Sequence, residues 1–238
     1  MSKTAFNGSV LLLGYGSVGR CTLPLLFRHL DMPEERITVM DFLDKRRELR
    51  KEIQRGVRFV HGRITKDNIE KELRKYLRAG DILIDLAWNI ECTAILDWCH
   101  RHEVLYINTS VELWDPYENR EQMTPPERTL YPRHMAIRAL TRSWTEPKKV
   151  TAILEHGANP GLVSHFTKIA LRGIGEKILK ELPASPQNKA VEQALNAGNF
   201  ATLAEAAGVK VIHISEIDTQ ITHLPHDDTC FTNTWSVE

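Results

Sequence analysis

The sequence of 238 residues predicts an α/β protein: a doubly wound parallel sheet, followed by the start of a second, α+β domain. Three observations lead there. A short apolar run ends in a glycine turn that opens a helix. An acidic residue closes the next strand, 22 positions after the last of those glycines. Apolar runs and amphipathic stretches then keep alternating down the chain.

The first strand is the apolar run Ser9–Leu13, and Gly14-Tyr15-Gly16-Ser17-Val18-Gly19 follows at once. Leu23, Leu25, Leu26 and Leu30 then suit a buried helix over 21–30, with Pro24 near its start, where proline does least harm. Arg36–Met40 reads as a second strand, closed by Asp41. Together these make a dinucleotide-binding unit of the Rossmann type. Gly14 permits the tight turn, Gly16 lets backbone approach a pyrophosphate, and Gly19 lets helix pack on strand. The helix start, with Ser17 and Val18, offers amides and a dipole to the anion. Asp41 is expected to accept hydrogen bonds from an adenosine ribose. A 2′-phosphate there would meet a like charge, at a cost of up to about 4 kcal/mol at roughly 4 Å and an effective dielectric of about 20. NAD is therefore expected over NADP. Lys45, Arg46 and Arg47 qualify this, since a basic cluster just past the acid could hold a phosphate instead; alternating with Asp44 and Glu48, they read rather as a solvated helix face.

The alternation continues with a strand over Val57–Val60 and an amphipathic helix over Lys66–Arg78, which Thr65 is placed to cap. Asp81–Ala87 is an apolar strand, Thr93–His102 a helix and Leu105–Thr109 another strand. Ligands in such sheets bind beyond the carboxyl ends of strands, which gathers Gly14–Gly19, Trp88–Asn89 and Asn108–Trp114 around one crevice. Asp115–Pro132 reads as an exposed loop, Arg133–Ser143 as a helix and Val150–Glu155 as a strand. The boundary between the cofactor domain (1–143) and the second domain (144–238) is placed after that helix. Beyond it, a helix begins at Leu162, Gln187–Ala207 looks helical, and Val209–Ile217 and Thr229–Glu238 alternate like strands.

Composition removes several classes of function. Lys plus Arg and Asp plus Glu each total 31, so the zero net charge does not favour a nucleic-acid partner. No apolar run is long enough to span a bilayer, and the first residues lack the apolar stretch of a secretory signal. Four cysteines make no disulfide framework and suit a reducing cytoplasm. Cys92, Cys99, His100, His102, His223 and His226 match no zinc spacing, so no metal is expected. Neither a GxSxG elbow nor a Walker lysine is present.

The strings LLLGYGSVGR, GVRFVHGRIT, YINTSVELWDPY, HGANPGLVSHF, GVKVIHISEIDTQ and FTNTWSVE carry a resemblance to the bacterial homospermidine synthases, within the saccharopine dehydrogenase-like group. It runs essentially end to end. Because chains of that family continue further, the sequence is expected to be an amino-terminal portion, one that binds NAD without making homospermidine alone. The resemblance implies that bound NAD takes a hydride from an amine-bearing carbon of putrescine or spermidine, a second diamine exchanges in, and the hydride returns. It allows a homodimer. Glu112 and Glu216 are then expected to hold ammonium groups, and Trp235 to face the cationic substrate or iminium. Asn159 is expected to bond cofactor or substrate, Thr109 to lie on the cofactor, and Asn89 to sit at the substrate or cofactor side. Another amine or imino-acid oxidoreductase, and a non-catalytic NAD-binding module, are the other readings.

Overall fold

In the computed structural model the described residues are 2–145, 150–157, 161–183, 185–215, 217 and 229. The chain divides into two compact units, Met1–Pro160 and Gly161–Glu238.

The first unit is the doubly wound sheet. Its elements run β1 (Thr4–Ala5), β2 (Val10–Leu13), α1 (Ser17–His29), β3 (Leu30–Asp31), β4 (Ile37–Asp41), α2 (Arg50–Gln54), β5 (Arg58–His61) and α3 (Ile69–Tyr76). There follow β6 (Ile82–Asp85), α4 (Cys92–His102), β7 (Leu105–Asn108), α5 (Leu130–Ser143) and β8 (Ala152–Ile153). Six strands pair in parallel in the order β5-β4-β2-β6-β7-β8. The winding direction therefore reverses beside β2, and the crevice opens at the carboxyl ends of β2 and β6.

Alternation along β2 explains how it is buried on both faces. Leu11 and Leu13 pack with Leu73 of α3 and with Ile95 and Trp98 of α4. Val10 and Leu12 pack with Leu23 of α1 and with Leu49 and Val57. Each fully buried leucine contributes roughly 1.5–3 kcal/mol. At the opposite edge Asp81 ties the sheet together, its Oδ1 accepting from the Ser9 amide at 2.6 Å and its Oδ2 from the Arg78 amide at 2.7 Å.

Several local expectations need correction. α1 begins at Ser17, inside the glycine motif, which places Pro24 in the helix interior. α3 begins at Ile69 with Asn68, not Thr65, at its N-cap position and no side-chain capping bond; the Asn68 carboxamide instead accepts from the Thr65 amide at 2.8 Å. Lys45–Arg47 lie before α2 begins at Arg50, not on a helix face, although Arg46 pairs with Asp44 at 2.7 Å and Lys45 with Glu48 at 3.4 Å. The 115–132 loop holds two short 3₁₀ turns, and α5 starts within it at Leu130. The short parallel pair β1–β3 had no counterpart in the sequence reading.

The second unit packs α6 (Leu162–Glu181), α7 (Pro186–Ala197) and α8 (Phe200–Ala206) around Leu171, Val191, Ala194 and Leu203. The helix expected over 187–207 is two helices, because Gly198 takes a φ of 62° and the Asn199 side chain caps α8 by accepting from the Thr202 amide. Val209–Ser215 and Ile217 form no strand; Val211, Ile212 and Ile214 are exposed. The alternation is there, but a strand needs a partner for its backbone groups, and none is present among the described residues.

Candidate active site

The glycine turn is shaped by close approach. Gly14 has a φ of 87°, and a Cβ on it would lie 2.7 Å from the Leu86 carbonyl oxygen. A Cβ on Gly19 would run into the Gly14 carbonyl, whereas one on Gly16 would meet nothing within 4 Å. The turn is therefore tight against the sheet and open outward. α1 starts there with no side-chain cap and no acid in its first turn, leaving its first amides for an anion.

Asp41, 7% exposed, ends β4. Its Oδ2 accepts from the Tyr15 amide at 2.7 Å and its Oδ1 from the Leu43 amide at 2.8 Å. The carboxylate is thus fixed against the glycine turn and keeps lone pairs for further donors. Gly14, Gly16, Asp41, Lys45, Arg63 and Trp88 are among the residues around a cavity of about 270 Å³. An open backbone turn, a free helix start and a fixed carboxylate beside one cavity fit a dinucleotide's pyrophosphate and ribose.

A buried polar network continues the same sheet edge. Asp85 ends β6 and is 4% exposed; Tyr106 and Asn108 lie on β7 at 2% and 1%. The Tyr106 hydroxyl donates to Asp85 Oδ2 at 3.0 Å, and the Ala87 amide donates to Asp85 Oδ1 at 3.2 Å. Asn108 Nδ2 donates to the Tyr106 hydroxyl at 2.9 Å and to Cys92 Sγ at 3.3 Å. Burial pushes the Asp85 carboxyl up from 3.8 to about 7; the Ala87 and Tyr106 donors oppose this, and the Glu112 charge adds to it. Burial likewise pushes the Cys92 thiol up to about 11, so it stays protonated at neutral pH and is no nucleophile.

Residues 10–153 match the family described as the saccharopine dehydrogenase NADP binding domain. The chain belongs to that family. Within the wider set of its relatives, the homospermidine synthase of Blastochloris viridis is 34% identical over 98% of this chain, and that of Mesorhizobium japonicum 35% identical over 98%. The crystal structure of the homospermidine synthase from Legionella pneumophila in complex with NAD is 32% identical, with a TM-score of 0.73 over 98% of this chain. The chain spans 46% of the length of each of these three proteins.

Against this domain family's sheet edge, the expected site residues fall into three groups. Gly14, Gly16 and Asp41 meet at the cavity, with Ser17, Val18 and Gly19 opening α1 beside it. Asn89, Thr109 and Glu112 lie on loops of the same edge but do not line that cavity. Asn89 has a left-handed φ of 57°, between Trp88 and Ile90, which do line it. Glu112 is half-buried, accepts from the Ser110 hydroxyl at 2.6 Å, and its carbonyl accepts from the Cys92 amide at 3.0 Å. Asn159, Glu216 and Trp235 lie outside the described residues. Sequence reasoning missed Asp85, Tyr106 and Cys92, and took Asn108 only as part of a crevice loop. Among the described residues no helix is long and apolar enough to cross a membrane, and no group of three or more His, Cys, Asp or Glu could hold a metal ion.

Proposed function

We propose that this chain carries the dinucleotide site of a homospermidine synthase and that the dinucleotide is NAD. The observation that carries the cofactor choice is Asp41, a buried carboxylate fixed by two amides at the cavity wall, where a 2′-phosphate would meet a like charge. The choice of enzyme is supported by the identity to two homospermidine synthases over 98% of the chain. When bound, the dinucleotide would supply hydride acceptance from an amine-bearing carbon and its later return, so that two putrescines are joined into homospermidine with release of ammonia, or spermidine and putrescine with release of diaminopropane, and no net redox change.

The chain's own residues bind and orient. The glycine turn and the start of α1 hold the pyrophosphate, and Asp41 the adenosine ribose. Glu112, held toward Ser110, takes an ammonium group; Glu216 and Trp235 take the remaining cationic parts, and Asn159, Thr109 and Asn89 orient cofactor and substrate. Lys45 and Arg63 at the same cavity support one other reading, in which they hold a 2′-phosphate and the cofactor is NADP.

Incubating the full-length protein with putrescine and NAD⁺, with mass detection of homospermidine, tests the enzyme. Titrating the two dinucleotides side by side tests the cofactor. Homospermidine and tighter NAD binding are expected. Tight NAD binding with no homospermidine would leave only a dinucleotide-binding module, and tighter NADP binding would overturn the role given to Asp41.

A further inference from the structure

Asn108 uses both polar atoms of its side chain as well as its backbone carbonyl. Its Nδ2 donates to Tyr106 and Cys92, its Oδ1 accepts from the Glu155 amide at 2.8 Å, and its carbonyl accepts from the His156 amide at 3.0 Å. These contacts lead to three loops of the sheet edge. Through Tyr106 and Asp85 the chain of bonds reaches the Ala87 amide, and Ala87 and Trp88 line the dinucleotide cavity. Through Cys92, whose amide holds the Glu112 carbonyl, it reaches the loop that bears Glu112. The third branch fixes Glu155, which follows β8 in a left-handed conformation with a φ of 51°. Such a conformation in a residue other than glycine costs of order 1–3 kcal/mol and persists only where neighbours hold it. The Glu155 carboxylate also pairs with the His134 ring of α5.

We infer that Asn108 is a positioning residue: its side chain locks the loops after β6, β7 and β8 into one register, so that the dinucleotide cavity and the Glu112 loop keep a fixed spacing. This rests on the proposed homospermidine synthase reading. Neither Glu112 nor the cavity needs Asn108 for its own contacts. What depends on Asn108 is their alignment, and a misplacement of about 1 Å between reacting groups costs on the order of 100-fold in rate.

The test uses Asn108→Leu and Asn108→Asp in the full-length protein. Asn108→Leu keeps the volume and removes all the side chain's bonds. It is expected to lower kcat with putrescine by about 100-fold while the Kd for NAD stays within about threefold. Asn108→Asp keeps the acceptor for the Glu155 amide and loses the donor to Tyr106, a donor that returns when the new carboxyl is protonated. That carboxyl would face Tyr106 and Cys92 directly, with Asp85, Glu112, Glu155 and Cys99 beyond them. Its residual turnover is therefore expected to rise toward low pH relative to wild type. Amide hydrogen exchange supplies a readout independent of turnover. Exchange at Glu155 should quicken by at least about tenfold in Asn108→Leu and stay near wild type in Asn108→Asp, with β2 and β4 unchanged in both. Unchanged turnover in Asn108→Leu, or unchanged exchange at Glu155, overturns the inference. A wild-type protein that makes no homospermidine refutes the proposed function instead, and the exchange result then decides whether Asn108 locks the loops.

Discussion

Replacing Asp85 with Asn removes a carboxyl group that the fold buries at the end of β6 with only 4% of the residue exposed. Burial raises that carboxyl from 3.8 to about 7, so between those values the native state holds a proton that the unfolded chain releases. Stability from this group is therefore complete below about pH 4 and lost as pH rises to about 7. A rise from 3.8 to about 7 corresponds to about 4 kcal/mol over the whole window, at about 1.36 kcal/mol for each pH unit. Asn titrates at neither end. Its carbonyl oxygen keeps an acceptor for the Ala87 amide, its NH2 replaces the oxygen that accepts from the Tyr106 hydroxyl, and its volume is nearly unchanged.

Urea unfolding of wild type and Asp85→Asn from pH 4 to pH 8 measures the difference directly. Other groups titrate in both proteins and cancel in the comparison. The variant is expected to gain on wild type by about 4 kcal/mol between pH 4 and pH 8, most of it below pH 7. Parallel stability curves across that range would show that Asp85 titrates normally, and the account of a desolvated carboxyl in the network would fail.

Asp41→Asn keeps the size of the side chain but removes the charge and one of the two acceptors that hold the Tyr15 and Leu43 amides, so the preference for NAD over NADP should narrow by at least about tenfold in a binding titration; an unchanged ratio would assign the selectivity elsewhere. Glu112→Gln should raise the KM for putrescine by about tenfold or more while NAD affinity holds, and it should bring the Asp85 midpoint down, since the Glu112 charge helps to raise it. Unchanged kinetics with putrescine would remove Glu112 from the site. Asp81→Ala leaves the Ser9 and Arg78 amides without their acceptor and should cost about 3 kcal/mol in urea unfolding with no change in NAD affinity, because Asp81 lies at the edge away from the cavity; a loss below about 0.5 kcal/mol would mean that water replaces it.

The parts of this chain that could be read from sequence are those whose causes are local. Gly14, Gly16 and Gly19 lie within six residues, and the spacing to Asp41 follows from one helix and one connection. The strands were legible because VLLL and ILID are apolar on both faces, as strands covered by helices must be. Where a boundary depended on one capping group, as at Asn199, propensity placed the helix but not its end. Val209–Ile217 failed for a different reason: alternation states which faces a strand would have, and says nothing of a neighbour to pair with.

The buried network shows what a pairwise reading of the same strands would have added. Asp85 and Asn108 are register partners across the parallel pair β6–β7, and Asp85 also pairs with Leu13, the last residue before the glycine turn. Both polar residues close apolar strands of four residues, so equal strand lengths alone would have set them side by side at the carboxyl edge. Tyr106, two positions before Asn108, points to the same face and brings its hydroxyl between them. A carboxyl placed there cannot reach water, which is why its proton binds so tightly. It cannot be replaced by an apolar residue without taking this acceptor from the Tyr106 hydroxyl proton and the Ala87 amide. That double constraint, desolvation on one side and two committed donors on the other, makes this edge of the sheet stiff. The glycine turn and the Glu112 loop are mounted on it, and the proposed function, in which a dinucleotide is aligned with a flexible diamine, would require such support.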